Sequence, residues 1–159
     1  MVRPHREELG ALGGTADYSD PALSPDGNRL AIGIRDPETG KCDRWILDLG
    51  TGAALRFTFD PGDDFDPAWA PDRTRVAFTS GHLGTHDLYV KDANASGQDE
   101  LLLSSKVSKN LEDWAPDGRW IVFNASGAGN EAALAVLSME TRKTQDSQPT
   151  PFAEHQSRV

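Results

Sequence analysis

Short apolar runs cut apart by Gly, Pro, Asn and Asp set the rhythm of this chain. Leu30 to Ile34, Arg44 to Leu49 and Ala54 to Phe59 follow one another with Asp36-Pro37-Glu38-Thr39-Gly40 and Gly50-Thr51-Gly52 between them. In the last run Leu55, Phe57 and Phe59 alternate with Arg56 and Thr58, the pattern of a half-exposed strand. Helical periodicity is weak throughout. Glu131 to Met139 has helical propensity, but its place in the pattern predicts a strand. Met1 to Tyr18 reads as a short strand and a loop.

The same course is run three times. Asp66-Pro67-Ala68-Trp69-Ala70-Pro71-Asp72-Arg73 has an earlier copy, Asp20-Pro21-Ala22-Leu23-Ser24-Pro25-Asp26-Gly27, and a later one, Glu112-Asp113-Trp114-Ala115-Pro116-Asp117-Gly118. Asp26 to Asp72 is 46 residues and Asp72 to Asp117 is 45, a period typical of repeat architectures. Within each copy Pro presets φ and Gly accepts a positive φ, so the motif predicts a β-turn between two strands. Four short strands per period describe the blade of an all-β propeller. The expected organisation is an N-terminal strand and loop of a preceding blade over residues 1–18, blades over 19–60, 61–105 and 106–150, and the start of a truncated fourth repeat over 151–159. The fourth strand of the last blade is expected between Thr141 and Gln148.

The Ser24-Pro25-Asp26-Gly27 motif and its copies Ala70-Pro71-Asp72-Arg73 and Ala115-Pro116-Asp117-Gly118 resemble the TolB-type WD-like β-propeller repeat family. Tyr18 to Arg35, Trp45 to Trp69 and Asp87-Leu88-Tyr89-Val90-Lys91 are similar, more narrowly, to propellers that follow the kinase domain of bacterial receptor-like serine/threonine kinases. That resemblance implies a non-catalytic interaction or sensor module in signalling, with protein or peptide ligands at its loop faces. Two departures stand out: Arg73 replaces a turn glycine, and Glu131-Ala132-Ala133-Leu134 lacks an acidic-aromatic pattern. A propeller domain of a prolyl-oligopeptidase-type serine peptidase, with its catalytic domain elsewhere, is the alternative. Closed propellers have about four to eight blades, so three form half of a ring of about six. Self-association that completes the ring is therefore expected, since bare blade faces invite it.

Composition narrows the function classes. Apolar residues make up 37% of the 159 and the 15 glycines add about 9%, a total typical of a globular protein. The formal charge of −9, with 16 scattered Lys and Arg, argues against a nucleic-acid partner. No run is long and apolar enough for a membrane span, and the N-terminal residues lack the apolar core of a signal peptide. Localisation stays unassigned.

Candidate chemistry is sparse. Asp60, Asp63, Asp64 and Asp66 are weak candidates for a hard cation, but they lack the spacing of a calcium loop; neither metal nor cofactor is expected. His82 and His86, in a Gly-rich hairpin, read as solvent-exposed loop residues rather than zinc ligands. Trp69 and Trp114 recur at equivalent positions, which suits blade-to-blade packing. Cys42 reads as an inert thiol in a turn. No Ser, His and Asp set converges, and the kinase signatures are absent, so no catalytic residue is expected. Asn94-Ala95-Ser96 and Asn124-Ala125-Ser126 fit the glycosylation pattern but read as turn sequences. The residues singled out as the repeat motif are Pro25, Asp26, Gly27, Trp69, Pro71, Asp72, Trp114, Pro116, Asp117 and Gly118.

Overall fold

A computed structural model describes residues 14–126 and 132–146. They form three four-stranded antiparallel sheets, each in simple up-and-down order. The first holds β1 (Asp17–Leu23), β2 (Arg29–Arg35), β3 (Cys42–Asp48) and β4 (Ala54–Arg56). The second holds β5 (Asp64–Trp69), β6 (Arg75–Ser80), β7 (Asp87–Asp92) and β8 (Glu100–Leu103). The third holds β9 (Ser108–Trp114), β10 (Trp120–Ser126), β11 (Ala132–Ser138) and β12 (Thr144–Asp146). The chain is thus all-β, three propeller blades in an open arrangement. The N-terminal strand expected before Gly14, the turn expected over Ser126 to Gly129 beyond Ser126, and the residues after Asp146 lie outside the described residues.

The repeated motif builds the same turn each time. Gly27, Arg73 and Gly118 donate their amides to the carbonyls of Ser24, Ala70 and Ala115 at 2.8–2.9 Å. All three have left-handed backbone, with φ of 71°, 67° and 75°, which explains glycine at two of them. The motif aspartates hold the far side of the turn. Asp26, Asp72 and Asp117 accept from the amides of Asn28, Thr74 and Arg119 at 3.2, 2.9 and 2.9 Å. Hydrogen bonds from Ser24 and Asn28 hold the Asp26 carboxyl well below the usual range, and Thr74 and Arg119 do the same for Asp72 and Asp117. These are turn carboxylates, occupied by their own backbone.

Two seams join the blades. In the first, between sheets one and two, Ala31, Ile46 and Phe57 pack against Trp69, Val76, Phe78 and Tyr89. In the second, between sheets two and three, Ala68, Ala77, Leu88 and Val90 meet Leu111, Trp114, Ile121 and Phe123. Opposite faces of the middle sheet serve the two seams, as the alternation of side chains along a strand requires. Trp69 also donates its indole N–H to the Ala22 carbonyl across the first seam at 2.9 Å.

The expected alternation of Leu55, Phe57 and Phe59 is corrected. β4 ends at Arg56, where the chain bends inward: the amides of Phe57 and Thr58 both donate to the Arg44 carbonyl, and the Thr58 hydroxyl accepts from the Arg44 amide. Phe57 is consequently fully buried and meets Phe78 edge-on at 5.7 Å, whereas Leu55 and Phe59 stay exposed. Cys42 is likewise no turn residue. It opens β3 and is buried.

Candidate functional site

The innermost strands β1, β5 and β9 converge on one groove of about 610 Å³. Each blade supplies the equivalent stretch: Pro21 to Leu23 with Pro25, Pro67 to Trp69 with Pro71, and Glu112 to Trp114 with Pro116. Proline is tolerated here because an innermost strand has a neighbour on one side only. The rings make a rigid apolar rim, with the Trp69 and Trp114 indoles buried at its base.

Below the rim each innermost strand carries a β-bulge. The register shifts between Ser19 and Ala22, between Phe65 and Ala68, and opposite Val122 and Phe123. Asp20 and Asp66 sit in the bulges with φ of 46° and 50°, a conformation that aspartate tolerates better than most residues. The third bulge presents Glu112. A second cavity, of about 370 Å³, continues the groove past Asp20, Asp66, Glu112, Asn110 and Asn124. Burial pushes the Asp66 carboxyl up from its ordinary value, the charges of Asp20 and Glu112 push it further, and Arg44 opposes them. Asp66 therefore feels the charges of both other acids across the groove.

Their supports differ. Asp20 is held by Arg44, a fully buried guanidinium whose Nη2 lies 2.8 Å from Asp20 Oδ2. Glu112 accepts from the side-chain amide of Asn124. Asp66 has only a long contact from the Thr79 hydroxyl, 3.5 Å. The arrangement presents negative charge under an apolar rim.

The four weak cation candidates do not converge. Asp63 accepts from the Cys42 amide at 2.9 Å, Asp64 is buried inside the first seam, Asp66 faces the groove, and Asp60 lines a lateral cavity with Phe59, Tyr89 and Asp99. Among the described residues no group of three or more His, Cys, Asp or Glu is arranged to hold a metal ion. The expectation of exposed histidines is corrected: His82 and His86 are both half-buried. The His82 ring lies against Tyr89 at 5.2 Å and within 3.3 Å of the Ser80 hydroxyl. His86 packs on Phe65 at 5.4 Å and lines the axial groove instead. Sequence reasoning passed over Asp20, Glu112 and Arg44. The pairs Asp20-Pro21 and Asp66-Pro67, at equivalent places in two repeats, were the available signal.

Comparison with known proteins agrees with this architecture. The Tol-Pal system protein TolB of Francisella tularensis subsp. tularensis is 30% identical over 141 residues, covering 83% of this chain and 32% of that protein. A protein TolB homolog of Chlorobium chlorochromatii is 36% identical over 103 residues, 65% of this chain and 22% of that protein. The chain thus spans about a third or less of the length of these relatives. In three dimensions the crystal structure of TolB from Acinetobacter baumannii superposes with a TM-score of 0.71 at 24% identity, over 82% of this chain and 32% of that one. A prolyl endopeptidase structure reaches 0.68 at 13% identity, over 83% of this chain and 22% of that one, which is likeness of fold alone. The description of the TolB beta propeller domain matches residues 5–156, and the chain belongs to that family.

Proposed function

We propose that this chain is a non-catalytic propeller module that holds a protein or peptide segment in the axial groove, and that the segment presents a basic side chain to Asp20, Asp66 and Glu112. The observation that carries this reading is that Asp20, Asp66 and Glu112 line one cavity beneath the Pro and Trp rim, where the other two charges act on Asp66. An apolar rim gives contact area to an extended chain, and clustered negative charge selects a cation and speeds its approach. Membership of the TolB propeller family supports a binding role over catalysis. A place as the sensor portion of a kinase-linked bacterial receptor is the finer form of the same proposal, and it rests on the resemblance of Tyr18 to Arg35 and Asp87 to Lys91.

The test is fluorescence anisotropy with labelled peptides matched in length, rich in Arg and Lys or in Glu. Basic peptides are expected to bind and to weaken with salt, and Asp66→Lys is expected to weaken them about tenfold or more. Equal binding of the acidic set, or indifference to Asp66→Lys, overturns the reading.

A further inference from the structure

The cavity beneath the Pro and Trp rim is walled by hydrogen-bond acceptors, and a chain of side-chain amides fixes one of them. Glu112, as a carboxylate, can only accept, so Asn124 turns its side-chain N–H donors to it and its oxygen the other way. That oxygen accepts from the Asn110 side-chain amide at 3.4 Å, across the paired strands β9 and β10. The orientation of Asn110 is thereby set. Its own carboxamide oxygen has no partner among the described residues, and the residue lines the cavity.

Asp66 is supplied as thinly. The Thr79 hydroxyl accepts from the Leu111 amide at 2.9 Å and has a single proton to give, which reaches one Asp66 oxygen at 3.5 Å. The other Asp66 oxygen has no partner among the described residues. Phe65 and His86 line the same cavity with their rings 5.4 Å apart. The wall therefore combines carboxylates, one neutral acceptor held in a fixed direction, and flat ring surfaces.

Charge alone does not separate the two basic side chains, since lysine and arginine each carry one positive charge. Direction and hydration do. An ammonium is a compact, strongly hydrated point charge whose donors all leave one nitrogen, whereas a guanidinium spreads its donors over a plane, is more weakly hydrated and stacks on aromatic faces. Acceptors on separate side chains, one of them uncharged, favour the planar donor set. The long arginine stem also suits the apolar rim it has to pass.

We infer that the basic side chain taken by this cavity is an arginine rather than a lysine, its guanidinium shared between Asp66 and the carboxamide oxygen of Asn110, which makes Asn110 the residue that sets specificity. The inference rests on the proposed binding of a basic segment in the axial groove and adds the identity of the side chain.

Two labelled peptide sets of identical length, charge and spacing, one with arginine only and one with lysine only, test it by fluorescence anisotropy on the 159-residue chain at one salt concentration, beside the acidic set. The arginine set is expected to bind about tenfold more tightly than the lysine set, the effect of an additional hydrogen bond to a charged group. Asn110→Ala is expected to weaken the arginine set about tenfold and the lysine set by less than about threefold, so that the preference collapses. This collapse separates the site from a general affinity of arginine for acidic surfaces. Asn110→Ser guards against loss of the fold, because serine is the residue at the equivalent place in the first blade, Ser19, and it is expected to act in the same direction. If acidic and basic peptides bind alike, the groove reading and this inference fail together. Equal binding of the arginine and lysine sets overturns this inference alone, as does an arginine preference that survives both Asn110 variants.

Discussion

The two seams occupy equivalent places in the repeat and bury charge in opposite ways. Lys109, in the second seam, sits 45 residues after Asp64, in the first. Lys109 is fully matched: its Nζ lies 2.9 Å from Asp87 Oδ1 and 2.8 Å from the Val107 carbonyl, and both side chains are almost completely buried. Burial pushes the Asp87 carboxyl up, but hydrogen bonds from Lys109 and Ser104 outweigh it and leave the group lowered. Asp64 has no such partner. Arg44, a buried cation whose charge acts on it, is bonded instead to Asp20 in the axial groove. Burial therefore dominates, and the Asp64 carboxyl is pushed up to about 6, with the Thr58 and Ser80 hydroxyls offsetting part of the effect. The first seam leaves one acid uncompensated while its arginine anchors another at the groove.

The sharpest way to break this contrast is to make the second seam resemble the first. Lys109→Ala removes the cation and leaves Asp87 buried and unpaired, which is expected to cost about 3–5 kcal/mol. Urea unfolding measures it. The double change Lys109→Met with Asp87→Leu, which removes both charges and keeps the volume, is expected to recover most of that loss. If the single and double changes are equally destabilising, the pair is not what sets the cost.

The converse change relieves the first seam. The folded pKa of Asp64 lies above its ordinary value of 3.8, so the folded state favours the protonated acid. Its contribution is fully present below about pH 4 and is lost as pH rises through about 6, for at most about 3 kcal/mol. Asp64→Asn keeps the shape and cannot ionise. It is expected to be more stable than the wild type by about 1–2 kcal/mol at pH 8 and to show a flatter profile between about pH 4 and 7. Thermal melts across that range check the sign, and a variant that loses stability equally at every pH refutes it.

What the sequence made legible follows the range of the interactions involved. The blades were readable because Asp26, Asp72 and Asp117 each close a turn with an amide two residues on, and such local chemistry leaves a fixed spacing. Thr144–Asp146 fell where the period required a fourth strand, and Ala132–Ser138 formed a strand against its helical propensity. The bend at Arg56 was hidden, since it depends on the Arg44 carbonyl of the neighbouring strand. The alternation of Leu55 and Phe57 was real in the sequence and overridden by that pairing. The half-buried histidines were misread for the same reason: Phe65 and Tyr89, which cover them, come from other strands. Of the groove, the Pro and Trp rim was visible as the repeated motif. Its acids emerge only when three bulges place Asp20, Asp66 and Glu112 around one space.

The smallest effect concerns the turn where the repeat departs from glycine. Arg73 has a φ of 67° where Gly27 and Gly118 have 71° and 75°. A residue with a Cβ is strained there by about 1 kcal/mol. Arg73 recovers part of this by reaching across the first seam to Asp26, 3.2 Å away, but the pair is largely exposed, and such pairs contribute about 0–1 kcal/mol. Asp26 is already held by Ser24 and Asn28, so it loses little when the guanidinium goes. The contact from Arg29 to the Arg73 carbonyl, 2.6 Å, uses backbone and survives substitution. Arg73→Gly is therefore expected to stabilise the fold by less than about 1 kcal/mol, because relief of strain slightly exceeds the lost pair and the added freedom of the unfolded chain. Salt separates the two contributions: raising it screens the Arg73 and Asp26 pair in the wild type but leaves the strain untouched. The advantage of the glycine variant should widen with ionic strength, and an advantage that shrinks instead would show that the ion pair, not the backbone, decides which residue suits this turn.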